Sequence, residues 1–429
     1  MENYIYLLFF TELIFMAFSY VLTRGNLLSP SLVSYAMFAV ATVCIIYNVE
    51  FWEVQYSSTA YWLTTIGFFV MLLPEIAILK LLRYRPYSAG KTSLNSKSDA
   101  IKINKLVNIF IAIIAIVLTI IYVYAVMKRG ANLGGSGLNA IGIAKHDEAG
   151  ASGLERLLYR ALMILFYVFA YIVVRNKALA KEKLSAQIKY MIPMVCFLVA
   201  SFFNGNRLGL LKCFLAIYVA VLAFTYQSRN FTKKDIWKIM RYVVMVGVVI
   251  VIVFYLLRVI TKVNTTTADR TFLDYITYYI GSPVYLFSKY LDNPLQVHAP
   301  NTLFGETTFT ALLQELGFSP EYQNNVLYVG GESYFAGNAM SWFQEPLNDY
   351  GIIGMYIFTF IVYWVFAHML YKGILKKRSE IAMICMMYFY FVVVMSFYYC
   401  QTMWAVSITN IIFVILIIMM VRWLPRLKI

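Results

Sequence analysis

Eleven long apolar runs, separated mostly by short loops, limit what this chain can fold into more than any other feature of its sequence. A helix that crosses a membrane needs about 20 apolar residues, and most of these runs approach that length. Only 13% of the residues are charged, against about 25% in soluble proteins. The sequence therefore predicts an all-α polytopic membrane bundle of about 11 spans, near residues 4–22, 28–47, 60–82, 106–127, 158–174, 190–203, 208–226, 242–260, 351–371, 381–399 and 404–422.

The basic residues predict how the bundle is oriented, because Lys and Arg accumulate in cytoplasmic loops. Most of the 36 Lys and Arg residues fall in alternate loops, around positions 24, 83–105, 175–189, 229–241, 372–378 and 422–428. This pattern places the amino terminus outside and the carboxyl terminus in the cytoplasm. It also accounts for the net charge of +15 without a nucleic-acid partner. We expect one membrane-embedded domain, residues 1–429.

The longest connection, residues 261–350, lies between the eighth and ninth predicted spans and faces outside in this orientation. A loop of this length usually has structure and a function of its own. The stretch "TFLDYITYYIGSPVYLFSKYL" (271–291) predicts two short interfacial helices, because Gly281 and Pro283 interrupt it. The stretch "TLFGETTFTALLQELG" (302–317) predicts a further short helix.

Several cations lie at the predicted outer ends of spans, and Arg207 is the most notable of them. It belongs to the turn "NGNRLG" (204–209), where Gly209 would let the backbone approach a ligand closely. Any single cation can extend to lipid headgroups, but several together predict an anion site, because guanidinium groups bind phosphate oxygens in a bidentate manner. The candidate anion ligands are Arg207, Arg258, Arg270, Lys212 and Arg160. A polyprenyl pyrophosphate combines such an anion with a long apolar body.

Two stretches carry a resemblance to a known family. "NGNRLGLL" (204–211) resembles the small-residue–Arg–Gly turn of the O-antigen and capsule repeat-unit polymerases, the Wzy-type family. "GNAMSWFQEPLNDYGIIGMYIF" (337–358) resembles the entry to the span that follows their large outer loop. The general layout extends the resemblance over nearly the whole chain.

The resemblance implies a bacterial inner-membrane glycosyltransferase that needs neither a metal nor another cofactor. Such an enzyme moves a growing glycan from one undecaprenyl pyrophosphate onto the next lipid-linked repeat unit. Its partners would be the undecaprenyl-pyrophosphate-linked donor and acceptor, membrane lipid and a chain-length regulator protein. The motifs of soluble phosphate-binding, zinc and serine enzymes are absent from the sequence.

In that reaction negative charge develops on the leaving pyrophosphate, and we expect Arg207 to stabilise it. Removal of one such donor costs roughly 2.7–4 kcal/mol in comparable sites. Arg258 and Arg270 are the expected partners of Arg207, with Lys212 and Arg160 as weaker candidates.

The attacking hydroxyl also needs a proton acceptor, and four candidates lie on the predicted outer side: His298, Glu332, Glu345 and Asp349. The ordinary pKa of His298 suits the role best, although a lone loop histidine is more often only solvated. Asp349 precedes an apolar run, where an aspartate is more often an N-cap; we expect the cap, with a catalytic role in addition. Glu12 and Glu75 lie too deep for outer chemistry and are expected to be structural partners of cations.

Two alternatives stay open. An O-antigen ligase would use the same donor and the same outer arginines but a different acceptor. A lipid-linked oligosaccharide flippase would place charged and broken helices near the bilayer midplane, often in repeated halves. The cations of this chain gather at one face instead, which favours surface chemistry.

Overall fold

The chain folds as a helical membrane bundle in the computed structural model. The structure describes residues 3–81, 100–145, 150–205, 207–228, 241, 272–292, 303–320, 327–329, 335–337 and 339–427, with Arg207, Ser228 and two short strands described by their backbone only. The described helices are α1 Ile5–Leu22, α2 Pro30–Tyr47, α3 Ser58–Leu81, α4 Lys105–Asn132, α5 Asn139–Lys145, α6 Gly153–Ala178, α7 Leu184–Gln187, α8 Ile192–Phe203, α9 Arg207–Ser228, α10 Phe272–Asp292, α11 Thr310–Glu315, α12 Gln344–His368, α13 Glu380–Phe389, α14 Phe391–Val394, α15 Thr402–Ala405 and α16 Ile408–Trp423.

Within the described residues, nine helical segments are long and apolar enough to cross a membrane. Each coincides with a predicted apolar run, so the helical polytopic architecture is confirmed. The sixth predicted run is instead a helix pair that bends by 60° between Tyr190 and Ile192, which makes up to 10 spans. The eighth predicted run, 242–260, lies outside the described residues, and the count of 11 and the orientation stay predictions.

The chain divides into two compact units. Unit 1 comprises Met1–Ser88, Thr271–Arg378 and Phe389–Ile412. Unit 2 comprises Ala89–Arg270, Ser379–Tyr388 and Phe413–Ile429. The single membrane-embedded domain stays a prediction.

Buried acids in the spans of unit 1 are held by hydroxyl groups. Ser29 and Ser31 donate to the carboxylate of Glu75 at 2.8 and 2.6 Å. Thr42 donates to Oε1 of Glu12 at 2.8 Å. The expectation that cations pair with these two acids is wrong for the part of the chain that the structure describes, because neither acid takes part in a salt bridge there.

Segments on the predicted outer side of unit 1 contact one another. Asn3 donates from Nδ2 to the carbonyl of Val54 at 2.7 Å, and the amide of Ser57 donates to Oγ of Ser288 at 2.9 Å. These contacts join the amino terminus, the α2–α3 loop and α10 at one end of the unit.

The prediction of two short helices in 271–291 is wrong, because α10 runs unbroken from Phe272 to Asp292 through Pro283. The contacts of Gly281 explain why α10 can lie close to α2. A Cβ added to Gly281 would lie 3.1 Å from Cβ of Cys44 and 3.2 Å from the carbonyl oxygen of Ala41. The missing side chain therefore lets α10 pack closely against α2. The predicted short helix in 302–317 is confirmed as α11. Beyond it, strands β1 Leu327–Val329 and β2 Phe335–Gly337 form an antiparallel hairpin.

Unit 2 is held by polar contacts at its helix ends. Asn176, near the end of α6, exchanges two hydrogen bonds of 2.8 Å with the backbone of Ile101. At the other end of α6, Glu155 and Arg129 form a salt bridge of 3.0 Å. Gly130 allows α5 to pack on α4, since a Cβ there would lie 2.0 Å from the carbonyl oxygen of Ala140.

The chain folds back on itself at the start of α12. Gly351 has φ 67° and ψ −175°, which is not helical and separates 344–350 from the rest of the helix. Trp342 precedes this kink and donates from Nε1 to Oγ1 of Thr359 at 2.9 Å. Thr359 lies about 12 Å beyond Gly351 at 1.5 Å per residue, so a straight helix could not make this contact. Residues 339–350 therefore form a re-entrant segment that runs beside the part of α12 that follows Gly351.

The re-entrant segment reaches the middle of unit 1. Phe343 lies beside Phe38, halfway along α2, with ring centroids 6.1 Å apart. A Cβ on Gly67 of α3 would lie 2.4 Å from the ring of Phe343, so the ring fills a slot that only glycine leaves open. Backbone that does not belong to a simple span is thus buried among the spans.

A second irregular stretch, residues 395–407, separates α14 from α16, and we call it the broken segment. It contains a 3-10 turn, Met395–Phe397, and the four-residue helix α15. Ser341 of the re-entrant segment donates from its amide to the carbonyl of Tyr398 at 3.0 Å and pairs with Tyr399 in a parallel bridge. The two irregular segments therefore meet inside unit 1.

Candidate functional site

The basic turn of unit 2 has the local geometry that its sequence predicts. Gly205 adopts φ 63°, a conformation that favours glycine, and α9 begins at Arg207. Gly209 serves a different purpose from the one expected, because a Cβ there would lie 2.6 Å from the hydroxyl of Tyr159. That hydroxyl also lies 3.2 Å from Oγ of Ser201. The space beside Gly209 is therefore filled by a tyrosine of α6.

The other predicted anion ligands are only partly described. The guanidinium group of Arg160 is exposed and lies over the ring of Phe413, 5.6 Å from its centroid. Lys212 is partly exposed, in the second turn of α9. The side chain of Arg207 and the whole of Arg258 and Arg270 lie outside the described residues, as do the candidate bases His298 and Glu332. The shared pyrophosphate site stays a prediction.

Asp349 joins the re-entrant segment to the outer loop. Its Oδ1 accepts hydrogen bonds from the amide and hydroxyl of Thr307 at 3.1 and 2.9 Å. Its Oδ2 accepts from the amide of Thr308 at 2.6 Å and from the hydroxyl of the same residue. An ionised carboxylate has about four acceptor positions, and these four donors occupy them. We call Asp349, Thr307 and Thr308 the latch.

The latch corrects the prediction of an N-cap. Asp349 lies in the part of the segment that precedes the kink at Gly351, and its described hydrogen bonds go to threonines about 40 residues away. This geometry gives Asp349 a structural role, and its predicted catalytic role stays a prediction.

Glu345 lies one turn before Asp349 and has different surroundings. It is fully buried, and its Oε2 accepts a hydrogen bond of 3.3 Å from the amide of Cys400 in the broken segment. Its Oε1 has no hydrogen-bond partner among the residues that the structure describes. Two of the four candidate bases, Glu345 and Asp349, are described by the structure. Of these two, Glu345 has a carboxyl oxygen without a hydrogen-bond partner in the described residues.

Neighbouring amide groups share this feature. Gln401 is fully buried, and neither its Oε1 nor its Nε2 is hydrogen-bonded within the described chain. Asn348, three residues after Glu345, also leaves its buried Nδ2 unpaired there, while its Oδ1 accepts from the hydroxyl of Tyr290. We call Glu345, Asn348 and Gln401 the polar cluster.

Tyr290 of α10 borders the polar cluster. Burial raises the pKa of Tyr290 to about 12, and the nearby Glu345 carboxyl contributes in the same direction. The phenol therefore stays protonated at neutral pH and acts as a hydrogen-bond donor.

Sequence reasoning included Glu345 among four candidate bases but missed Asn348, Gln401 and Tyr290. The available signal was the placing of amide side chains, in "SWFQEPLND" and "YYCQTMW", beside apolar runs. In the described residues, no three His, Cys, Asp or Glu side chains form a group that could hold a metal ion. The sequence matches no protein-family model, no curated protein and no solved structure.

Proposed function

We propose that this chain is a glycosyltransferase that polymerises undecaprenyl-pyrophosphate-linked repeat units at the outer face of a bacterial inner membrane. The observation that carries the proposal is the start of α9. This 22-residue apolar helix begins at Arg207 directly after the Gly205 turn. The first four amides of a helix lack partners within it, and the helix dipole adds positive charge there.

A guanidinium group at this helix start would meet a pyrophosphate where the helix dipole is positive. The apolar helices beside it suit the prenyl chain of the same molecule. The loop pattern, the resemblance of 204–211 and 337–358 to repeat-unit polymerases, and the acid-containing segments of unit 1 support the assignment. Arg207 would stabilise the leaving group while a sugar hydroxyl attacks the anomeric carbon.

The test is polymer formation by purified protein in vesicles that contain lipid-linked repeat units. We expect Arg207→Ala to lower the rate about 100-fold or more, because one donor to a developing charge is removed, and Arg207→Lys to retain part of it. Arg156→Ala is the matched control: its exposed Nε donates to the carbonyl of Ala151 at 2.9 Å. Inserted Arg207→Ala protein that makes full-length glycan would contradict the proposal. Transfer of a single unit to a lipid A core, without polymer, would identify a ligase.

A flippase is the second candidate, because Glu12 and Glu75 are buried within α1 and α3 and acids within spans often mark transport pathways. The double variant Glu12→Gln/Glu75→Gln separates the two functions. Polymerisation in vesicles supplied with outward-facing substrate should not change. Loss of substrate movement across the bilayer would instead favour transport.

A further inference from the structure

The re-entrant and broken segments place irregular backbone among membrane-spanning helices, and this placement has few physical explanations. Non-helical backbone at membrane depth is tolerated where it is buried in protein or lines a water-filled cavity. The contacts of Phe343 with α2 and α3 show the first situation. The polar cluster, by contrast, brings buried polar atoms to the place where both segments meet.

These polar atoms need partners. A buried polar group that lacks a hydrogen bond costs about 1–3 kcal/mol, and such groups are rare in native proteins. Glu345 Oε1, Asn348 Nδ2 and both polar atoms of Gln401 have none among the described residues. The amide that donates to Glu345 belongs to Cys400, the residue just before Gln401, so the backbone at Gln401 lies close to Glu345. A ligand that brings both donors and acceptors would satisfy them together.

The chemistry of the polar cluster selects the class of ligand. An ionised phosphate offers acceptors but no donor for Oε1 of Glu345, and a metal ion would leave the amide donors of Asn348 and Gln401 without acceptors. A prenyl chain could satisfy none of these atoms. A sugar ring carries several hydroxyl groups, each both a donor and an acceptor.

The cluster also connects to more exposed residues. Asn348 and Tyr350 are partly exposed, one turn beyond Glu345. The ring of Tyr350 lies 4.9 Å from that of Phe304, and Phe304 is 83% exposed. Aromatic rings at this position offer flat apolar surfaces on which a sugar ring can stack before its hydroxyls reach Glu345.

We propose that Glu345, Asn348 and Gln401 form a sugar-binding site in which a ring hydroxyl donates to Oε1 of Glu345 and the two amides bind neighbouring hydroxyls. The assignment of this sugar to the acceptor repeat unit rests on the proposed glycosyltransferase function. The binding of a sugar by the polar cluster does not.

The experiment measures binding of free sugars to the full-length protein in lipid nanodiscs. The probes are glucose, galactose, mannose and N-acetylglucosamine, followed by saturation-transfer difference NMR. We expect saturable binding of at least one probe, and affinity about 10-fold lower or more in Glu345→Gln and in Gln401→Leu, because each loses a ligand hydrogen bond. Inorganic pyrophosphate should not compete.

Glu12→Gln is the control, because it makes the same change at a buried acid of α1 and should bind as the wild type does. Asn348→Leu serves as a further variant if Gln401→Leu does not fold. Binding of none of the four sugars would overturn the proposal. Unchanged affinity in folded Glu345→Gln and in a folded amide variant would overturn it as well.

The polymerisation assay distinguishes this inference from the proposed function. Sugar binding that depends on Glu345 in a protein that makes no polymer would contradict the glycosyltransferase and leave the sugar site standing. Polymer formation that Glu345→Gln leaves unchanged, with unchanged sugar affinity, would contradict the sugar site and leave the function standing.

Discussion

The latch and the polar cluster lie one helical turn apart in unit 1, but their acids differ in how many hydrogen bonds they accept. Asp349 receives two amides and two hydroxyls from Thr307 and Thr308. Glu345 receives one amide, from Cys400, and keeps one oxygen unpaired within the described chain. A carboxylate whose acceptor positions are all used stabilises a fold. A buried acid with an unpaired oxygen, close to amide groups that are also unpaired within the described chain, is suited to bind a ligand.

The difference between the latch and the polar cluster predicts different free energies of unfolding for their variants, so measurements of stability can contradict it. If the latch is structural, its loss should destabilise the protein strongly. If the polar cluster is reserved for a ligand, its loss should cost little stability in the absence of that ligand.

The largest effect is expected for Asp349→Ala. The change leaves the donors of Thr307 and Thr308 without their acceptor, and we expect a loss of about 3 kcal/mol or more in the free energy of unfolding. Denaturant unfolding of detergent-solubilised protein measures it. Asp292→Ala, at an exposed aspartate at the end of α10, is the control and should change stability by less than about 0.5 kcal/mol. A loss below about 1 kcal/mol for Asp349→Ala would break the comparison.

A smaller effect is expected for Gly351→Ala, which tests the fold-back that carries both acids. No atom lies within 4 Å of an added Cβ, so the cost is conformational. The values φ 67° and ψ −175° belong to a region open almost only to glycine, and we expect a loss of roughly 1–3 kcal/mol.

Gly153→Ala is the matched control for Gly351→Ala, since it too has open space and lacks a positive φ. Equal stability of the two variants in thermal unfolding would mean that the reversal at Gly351 is not present in solution.

Glu315→Gln extends the comparison to a second acid of the outer loop. Oε2 of Glu315 accepts hydrogen bonds from the amides of Ile408 and Thr409 at 2.6 and 3.3 Å, at the start of α16. Loss of the negative charge at this helix start should cost about 0.3–1 kcal/mol. Glu50→Gln, in an exposed loop position, should cost less. Equal losses of stability for Glu315→Gln and Glu50→Gln in the same unfolding assay would mean that Glu315 does not have a structural role like that of Asp349.

The smallest effect on stability is expected for Glu345→Gln. The remaining carbonyl oxygen of the new side chain can still accept from Cys400, so we expect a change within about 0.5 kcal/mol. The same variant should lose sugar affinity, as described above. A loss of stability as large as that of Asp349→Ala would mean that Glu345 has a structural role like that of Asp349, and would contradict the difference between the two acids.

The spans could be predicted because an apolar run of about 20 residues is a local signal. The nine described spans needed no knowledge of tertiary contacts. The path of α10 was missed, because Gly281 and Pro283 break helices in isolation. Packing of Gly281 against Ala41 and Cys44 of α2 reverses that local preference, and no pattern within 271–291 records it.

The candidate site was predicted only in part for a similar reason. "GNAMSWFQEPLNDYG" indicates an approach to a span, and the run after Gly351 resembles an ordinary one. The contact of Trp342 with Thr359 shows that the approach lies beside the span instead. Gln401 was not predicted, because the approach of the broken segment to Glu345 depends on contacts across more than 50 residues.

The slot at Gly67 also bears on how the protein is made. α3 is synthesised long before Phe343, so Gly67 lacks this partner during much of translation. Small residues in membrane helices mark places of close approach, and here the partner is an aromatic ring that follows much later in the chain. The re-entrant segment also contacts Thr359 and Tyr398, which are synthesised after it. Its docking therefore has to wait for the rest of α12 and for the broken segment, which makes it a late step in the maturation of the protein.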